Sequence, residues 1–314
     1  MENCIFCYNP INQDTDVFHK ECCKKFFGKE ELPDIPFKLN DIHKLAAQNI
    51  NKHLTVTGVQ KKLSVGIEKT SHKDRLTIVG WNDITASYIL KTQSKKFPEL
   101  PEVEDLTMHL AHLAGIKTVP HVLVRFKAGE LTYLTKRIDR NKKGKIHMED
   151  MCQLTERLTE DKYKGSMEQV GKIIVKFSST PGLDSVIFFE LIVFCFLTGN
   201  SDMHLKNFSL IHNQDGSIRL CPAYDLVATT LVNPSDKEET ALTLNGKKNK
   251  IKREDFLIFG TTIGLNEKQI FNAIKTITQK LSKSSDLIDR SFLSKEMKEK
   301  YKELIISRTA RLSV

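Results

Sequence analysis

The stretch from Gly199 to Asp225 constrains the fold of this 314-residue chain more than any other. It reads GNSDMHLKNFSLIHNQDGSIRLCPAYD, in which two β-type runs are joined by an Asn-Gln-Asp-Gly turn and flanked by polar residues. A turn of this composition between two such runs predicts a β-hairpin. Because a hairpin folds the chain back on itself, we expect Asn207 and Asp225 to lie near the open end of its two strands.

The polar residues around this hairpin are the types that a phosphoryl-transfer site needs. The reaction requires a carboxylate that orients the attacking hydroxyl and accepts its proton, and an amide and a carboxylate that hold magnesium ions on the phosphates. Asp202 is the predicted base, with His204 and Lys206 beside it, and Asn207 and Asp225 are the predicted magnesium ligands. The alternative is that these residues only cap a loop, a turn and a strand end.

A second candidate group lies earlier in the chain. The β-type run Tyr88-Ile89-Leu90-Lys91 ends in a lysine, and Glu104 follows at the start of an amphipathic helix. A strand lysine paired with a helix glutamate holds nucleotide phosphates in protein kinases. Glu102 and Asp105 compete with Glu104 for this pairing. The alternative is a solvated lysine and an acid that favours the helix dipole.

The segment LTVTGVQKKLSV joins two β-type runs through Thr57 and Gly58. A turn with exposed backbone amides can cover phosphates, so both residues are candidate ATP-binding positions. By spacing alone the segment is an ordinary hairpin.

The pattern along the chain predicts an α+β protein with three regions. Residues 1–35 are rich in Cys and His, residues 36–140 contain short β-type runs and one helix, and residues 141–314 are mainly helical. The helix carries a predicted buried stripe and ends at Gly115, where a left-handed cap is expected. The stripe consists of Val103, Leu106, Leu110 and Leu113.

Composition and targeting features favour a cytoplasmic protein that does not enter membranes. The apolar run from Val186 to Leu197 is shorter than the roughly 20 residues that cross a bilayer, so we expect a buried helix. The N-terminus has neither a basic region nor a long apolar region. The net charge of +9 is spread over the chain, which gives no sign of direct nucleic-acid binding.

Several of these motifs together resemble the HipA family of serine/threonine kinase toxins. The similarity runs from about Thr55 to Lys248, and the segment containing Asp202 and Asn207 is its most specific part. The matching segments are TVTGVQKKLSV, YILKTQSKKFPELPEVE, LTKRIDR, HMEDMCQ, GNSDMHLKNFSL, PAYDLVA and LTLNGKK.

This resemblance implies a bilobal protein-kinase-like fold, with a small β-rich N-lobe and a mainly α-helical C-lobe, that uses ATP and Mg²⁺. It implies that Lys91 is the phosphate lysine, that Asp202 is the base, and that LTKRIDR connects the lobes. Thr55 and Thr57 fall where the family has phosphoacceptor residues in a flexible loop, although serine is common there. Autophosphorylation of these threonines is the corresponding expectation.

The length before the kinase core makes the chain similar to short HipT-type toxins. In those systems a separate small antitoxin, HipS-like, replaces an N-terminal subdomain, and a HipB-like antitoxin provides the link to DNA. The resemblance implies a protein substrate, with an aminoacyl-tRNA synthetase as the expected target. Two alternatives stay open: a small-molecule kinase of the aminoglycoside phosphotransferase type, which shares the Asp-x-His-x-x-Asn spacing, and a non-catalytic regulatory module.

The N-terminal region has the ligand types of a zinc site. The pattern C-x2-C-x11-H-x2-C-C offers Cys4, Cys7, His19 and either Cys22 or Cys23 for tetrahedral coordination. The alternative is a set of free thiols. With seven cysteines, several of them in apolar stretches, we expect no disulfide framework.

Overall fold

The computed structural model describes residues 3–11, 17–39, 55–56, 62–141 and 143–312, with only the backbone described at 55–56. The chain divides into two units. The first comprises Met1–Leu106, Val119–Lys145 and Asp289–Leu293, and the second comprises Thr107–Thr118, Ile146–Ile288 and Ser294–Val314.

The first unit is built on an antiparallel sheet. Its strands are β1 (Thr55–Val56), β2 (Lys62–Glu68), β3 (Arg75–Ile78), β4 (Tyr88–Lys91), β5 (His121–Arg125) and β6 (Leu131–Lys136), followed by a small ribbon of β7 (Arg140–Asn141) and β8 (Gly144–Lys145). They follow the order β1-β2-β4-β6-β5, and β3 pairs with the C-terminal part of β2. Apolar residues of these strands, such as Leu63, Leu90 and Leu134, are fully buried, as expected of runs with β-type composition.

The described residues of this unit also include helical segments. Helix α1 (Lys20–Phe27) ends at Gly28, which has a left-handed φ of 81°. Helix α2 (Leu100–Leu113) ends just before Gly115, whose φ of 86° confirms the predicted cap. The predicted stripe of α2 is wrong at its last position, because Leu113 is 37% exposed. The helix is buried on most of its sides and not along one stripe only. The acidic residues Glu102, Glu104 and Asp105 are buried as well, although a one-sided stripe would leave them in solvent.

The second unit is mainly helical and centres on α5 (Pro181–Leu197), which contains the predicted apolar run and is buried along most of its length. Phe189 of α5 stacks on Phe259 of a later helix. Gly260 allows close packing there, because a Cβ would lie 2.6 Å from the side chain of Ile270. The other helices are α3 (Met151–Leu154), α4 (Met167–Phe177), α6 (Thr229–Val232), α7 (Arg253–Thr262), α8 (Glu267–Leu281), α9 (Ser285–Arg290), which continues into the first unit, and α10 (Lys295–Leu312).

The predicted hairpin is present in the second unit. Strands β10 (Ser209–His212) and β11 (Ile218–Leu220) pair antiparallel, and Gly216 has a left-handed φ of 81° in the turn between them. A strand that the sequence did not indicate, β9 (Met148–Asp150), pairs with β10 on its other side. The sheet therefore holds three strands, and the open end of the hairpin leads into the candidate site.

In the part of the chain that the structure describes, no helix combines the length and apolar character that crossing a bilayer requires.

Candidate active site

Asp202 lies in the loop between α5 and the 3-10 turn Leu205–Asn207. Its backbone amide donates to Asn200 Oδ1 at 3.2 Å. Its carboxylate Oδ1 accepts a hydrogen bond of 2.8 Å from the hydroxyl of Tyr163. The side chain is partly exposed, so the carboxylate is fixed in orientation while it remains accessible to a reacting hydroxyl.

Asn207 is buried and fixed by the same loop. Its Nδ2 donates to the backbone carbonyl of Asp202 at 3.0 Å, and its backbone amide donates to the carbonyl of His204 at 2.9 Å. Because the side-chain nitrogen is engaged, the carboxamide oxygen is the atom that Asn207 offers to a cation. Hard cations such as Mg²⁺ bind oxygen ligands of this kind.

Asp225 follows the hairpin in a left-handed backbone conformation, with a φ of 59°. Such a conformation is uncommon for residues other than glycine, and Asp and Asn tolerate it best. The neighbouring Tyr224 hydroxyl contacts Ser209 Oγ at 2.6 Å and donates to the carbonyl of Lys206 at 3.1 Å. These bonds attach the segment that carries Asp225 to the segment that carries Asn207.

A further connection joins the same two segments beyond Asp225. Thr229 Oγ1 accepts a hydrogen bond of 2.7 Å from the amide of Ser201 and donates to the carbonyl of Gly199 at 3.2 Å. The amide of Thr230 also donates to the carbonyl of Gly199, at 3.0 Å. Hydrogen bonds on both sides of Asp225 therefore hold it beside the loop of Asp202, as the hairpin predicts.

His204 is buried, with its ring edge-on to Tyr163 at 5.1 Å between centroids. Burial lowers the pKa of His204 below 6.5, and the nearby carboxylates of Asp202 and Asp225 only partly oppose this shift. Nδ1 has no hydrogen-bond partner among the described residues. Burial therefore favours the neutral imidazole at this position.

Lys206 is paired with Asp150, whose carboxylate lies 2.6 Å from its Nζ. Asp150 also caps helix α3, because its side chain accepts from the amide of Gln153. Lys206, the predicted neighbour of the base, is therefore held by an ion pair to the end of β9 and the start of α3.

Lys91 and Glu104 form a salt bridge in which both side chains are almost fully buried. The carbonyl of Lys91 accepts a hydrogen bond of 2.7 Å from Thr132 Oγ1, and Nζ lies 5.3 Å from the ring centre of Tyr133. A buried ammonium paired in this way has a fixed position, which is what phosphate binding by a strand lysine requires.

The two other acids of α2 have different partners. Glu102 accepts from Gln93 Nε2 at 2.7 and 2.8 Å, and burial raises its pKa to about 7. Asp105 accepts from the Tyr8 hydroxyl at 2.6 Å and contacts His121 Nδ1 at 2.7 Å. Of the three acids that the sequence left open, the structure therefore pairs Glu104 with the lysine.

The remaining nucleotide-loop predictions are described only in part. Thr55 lies in β1, where its backbone pairs opposite Leu63 of β2. Thr57 and Gly58 lie outside the described residues.

The N-terminal ligands form a cluster. The sulfurs of Cys4, Cys7 and Cys22 and a ring nitrogen of His19 all lie within 4.8 Å of one another. A hydrogen bond with Cys7 lowers the pKa of Cys4 to about 5, against the effect of burial, and raises the pKa of Cys7. Burial raises the pKa of Cys23 to about 11, and none of the seven cysteines is joined in a disulfide.

Sequence reasoning missed the residues that support the loops. Tyr163 lies 39 positions from its partner Asp202, so no local pattern indicates the contact. The contact of Thr229 with Ser201 is likewise too distant in sequence for a local pattern to indicate it. Tyr224 and Asp150, in contrast, lie in the segments PAYDLVA and HMEDMCQ that carry the family resemblance, so these segments could have pointed to them.

Comparison with solved structures identifies the fold. A chain in the Shewanella oneidensis MR-1 toxin-antitoxin complex of HipA, HipB and operator DNA matches with a TM-score of 0.70 and 20% identity, over 89% of this chain and 72% of that chain. The Helicobacter pylori proinflammatory kinase CtkA matches with a TM-score of 0.54 and 17% identity, over 78% of this chain and 93% of that chain. The fold is the expected α+β, bilobal protein-kinase-like fold, with a small β-rich lobe and a mainly helical lobe.

Sequence comparisons identify the family. Residues 54–285 match the HipA-like C-terminal domain. A Haemophilus influenzae protein named "Putative kinase" is 30% identical over 297 residues, 85% of this chain and 83% of the relative. "Putative kinase Y4dM" of Sinorhizobium fredii is 29% identical over 242 residues, 72% of this chain and 58% of the relative. The chain belongs to the HipA-like kinase family, as the resemblance predicted.

Proposed function

We propose that this chain is a serine/threonine protein kinase that transfers the γ-phosphate of ATP with the help of Mg²⁺. The observation that carries the proposal is the hydrogen-bonded unit of Asp202, Asn207 and Asp225, in which Tyr224 and Thr229 hold the segments together. A capping role alone does not require three such side chains on one pair of cross-linked loops.

Asp202 orients the substrate hydroxyl and accepts its proton as the oxygen attacks the γ-phosphorus. The bond from that phosphorus to the β–γ bridging oxygen breaks, ADP leaves, and the phosphate remains on serine or threonine. Asn207 and Asp225 would hold Mg²⁺, which neutralises charge on the phosphates. These two side chains suit Mg²⁺ because both offer oxygen atoms as ligands, and the amide nitrogen of Asn207 is already hydrogen-bonded.

Lys91 binds the phosphates of ATP, and Glu104 keeps its ammonium in place. The support is the burial of both side chains, which leaves Lys91 little freedom to adopt another position. Lys91→Ala should therefore weaken ATP use without changing the base.

The substrate is a cellular protein, and the chain acts as a HipT-like toxin whose target is an aminoacyl-tRNA synthetase. Family membership supports a toxin, and the structural neighbour from a HipA, HipB and operator DNA complex supports antitoxin partners. HipS-like and HipB-like antitoxins are the proposed partners, and DNA is reached only through them.

Phosphoproteomics after controlled expression tests this proposal. We expect one dominant serine or threonine phosphosite in a cellular protein with the wild type and none with Asp202→Asn, which removes the orienting carboxylate. If both proteins give the same phosphosites, Asp202 is not the base. Transfer of phosphate to an aminoglycoside and to no protein would favour the small-molecule kinase instead.

Autophosphorylation at Thr55 and Thr57 is the proposed control. A phosphate adds about −1.5 to −2 charge at neutral pH, which would repel the phosphates of ATP from a loop that covers them. Mass spectrometry should detect phosphate on one of the two threonines in the wild type but not in Asp202→Asn. If a protein substrate is phosphorylated while both threonines stay unmodified, this control does not operate.

A further inference from the structure

The N-terminal cluster has the dimensions of a tetrahedral metal site. His19 Nδ1 lies 3.4 Å from the sulfur of Cys7 and 3.8 Å from that of Cys22. A tetrahedral zinc with Zn–S bonds of about 2.3 Å separates its ligand atoms by roughly 3.8 Å. Three sulfurs and one imidazole nitrogen within 4.8 Å of one another therefore match a Cys3His zinc site.

A second observation concerns the other ring nitrogen of His19. Nε2 lies 3.1 Å from the backbone carbonyl of Pro10, an acceptor, so Nε2 carries the proton and donates it. Nδ1 is then the unprotonated nitrogen that faces the sulfurs. Histidines that bind metals are held in the same way, with the outer ring nitrogen donating to a carbonyl or a carboxylate.

The backbone around the cluster is also arranged for thiolate ligands. The amide of His19 donates to the sulfur of Cys4 at 3.3 Å. The loop is closed by bonds from the amide of Cys4 to the carbonyl of Asn9 and from the amide of Tyr8 to the carbonyl of Cys4, each 2.9 Å. Of the two cysteines that the sequence left open, the described residues bring Cys22 into the group, while Cys23 is fully buried on α1.

Tyr8, the residue after Cys7, connects this loop to the Lys91–Glu104 pair. It has a left-handed φ of 60° and is fully buried. Its hydroxyl donates to Asp105 at 2.6 Å, and Asp105 directly follows Glu104 on α2. Its ring lies edge-on to Phe292 at 5.5 Å. The position of Tyr8 is therefore set by the loop that carries Cys4 and Cys7.

We infer that Cys4, Cys7, His19 and Cys22 bind one Zn²⁺, and that this ion holds Tyr8 against α2 and so keeps Glu104 in register with Lys91. The metal site stands on its own geometry, whereas its effect on catalysis rests on the proposed kinase function. Tyr8 is a positioning residue, because it acts through Asp105 and touches no reacting group.

Metal analysis of the full chain, purified without chelator, tests the site. We expect about one zinc per chain in the wild type and in Cys23→Ala, the matched control on the same helix, and loss of zinc in Cys4→Ser and Cys22→Ser. Co²⁺ added to metal-free protein should give the intense visible bands of a tetrahedral thiolate site. Wild-type protein that neither contains zinc nor takes up Co²⁺ overturns the site, as does equal zinc in Cys22→Ser and Cys23→Ala.

Hydrogen exchange of α2 tests the positioning role without relying on activity. Removing zinc with a strong chelator should speed exchange in residues 100–113. Tyr8→Phe, which leaves every ligand in place, should keep zinc and show the same faster exchange. Its kcat/KM for ATP should fall roughly two- to thirtyfold, the range for coupling between packed elements.

The outcomes separate the two proposals. If Tyr8→Phe retains zinc but leaves α2 exchange and kcat/KM unchanged, while Lys91→Ala loses ATP use, the positioning role is wrong and the kinase stands. If zinc removal alters α2 exchange but no phosphoryl transfer occurs even in the wild type, the kinase function fails and the zinc site stands. Should chelated protein unfold as a whole, Tyr8→Phe alone decides the positioning role.

Discussion

Tyr163 is the residue with the most direct influence on Asp202, because its hydroxyl donates to the carboxylate oxygen at 2.8 Å. At 44% exposure, Tyr163 contributes little to the core, so its removal should act on catalysis and not on folding. A hydrogen bond to a carboxylate both orients it and lowers its energy.

We predict that Tyr163→Phe lowers kcat about tenfold, the cost of losing one charge-assisted hydrogen bond of ~1.4 kcal/mol, with KM for ATP unchanged. Steady-state kinetics at saturating protein substrate measure this, and an unchanged melting temperature is the control. A rise in kcat would show that Tyr163 instead blocks the base.

The residue scale is also where sequence reasoning reached its limit on α2. Glu102 and Asp105 are three positions apart and share one side of the helix, whereas Glu104 lies on another, and periodicity does not say which side meets Lys91. Which acid pairs with Lys91 depends on residues that are distant in sequence: Gln93 bonds to Glu102, and Tyr8 bonds to Asp105. The proximity of Asp202 and Asn207, in contrast, could be predicted from the sequence, because the two residues are five positions apart on one short loop.

At the scale of the element, burial of Glu102 makes the stability of α2 depend on pH. Burial raises its pKa from 4.5 to about 7, so folding favours the protonated form. The sign follows from linkage: this contribution is fully present below pH 4.5 and is lost as the pH rises through about 7.

We therefore predict that Glu102→Gln, which cannot ionise, gains stability relative to the wild type between pH 5 and pH 8. The gain is at most roughly 3 kcal/mol, at ~1.36 kcal/mol for each pKa unit. Urea unfolding at the two pH values measures it. Glu68→Gln, on an exposed position of β2, is the control and should show no such change.

The hairpin depends on Asp184 of α5 for its position. Asp184 accepts from Ser178 Oγ at 2.6 Å, from Arg219 at 3.0 Å and from the amide of Leu220 at 2.9 Å. Burial alone would raise the pKa of Asp184, but these hydrogen bonds outweigh it and hold the pKa below 3.8. The stabilisation is present above that value and is lost as the pH falls through the folded pKa.

Asp184→Asn should accordingly lower the free energy of unfolding by about 2–3 kcal/mol at pH 7, since it removes charge-assisted bonds to a buried carboxylate. The difference from the wild type should shrink below pH 3.8, where the carboxyl is protonated in the unfolded chain. Chemical unfolding at pH 7 and at pH 3 checks both points. Ser178→Ala, which removes one neutral donor, should cost less.

Local patterns predicted the hairpin and most strands of the first unit, because turn residues and β-type runs act over a few positions. They did not predict β9 or β6, whose identity as strands depends on partners far along the chain. The exposure of Leu113 at the end of α2 could not be predicted for the same reason, because burial depends on which distant segments pack against the helix.

At the scale of the whole molecule, ligand binding should stabilise the folded state. The proposed function assigns Lys91 and Asp225 to the binding of Mg²⁺-ATP. A ligand that binds only the folded state adds about 2.7 kcal/mol of stability at a concentration of 100 Kd.

We predict that a non-hydrolysable ATP analogue with Mg²⁺ raises the melting temperature of the wild type by roughly 5 °C, since ~1 kcal/mol corresponds to a few degrees in a chain of this size. Lys91→Ala and Asp225→Asn should each reduce the shift, as should EDTA. Asp202→Asn should keep the full shift, because the base orients the hydroxyl and does not hold the nucleotide. An equal shift in all four proteins would mean that the nucleotide binds without Lys91 and Asp225, and loss of the shift in Asp202→Asn would assign Asp202 to metal binding instead.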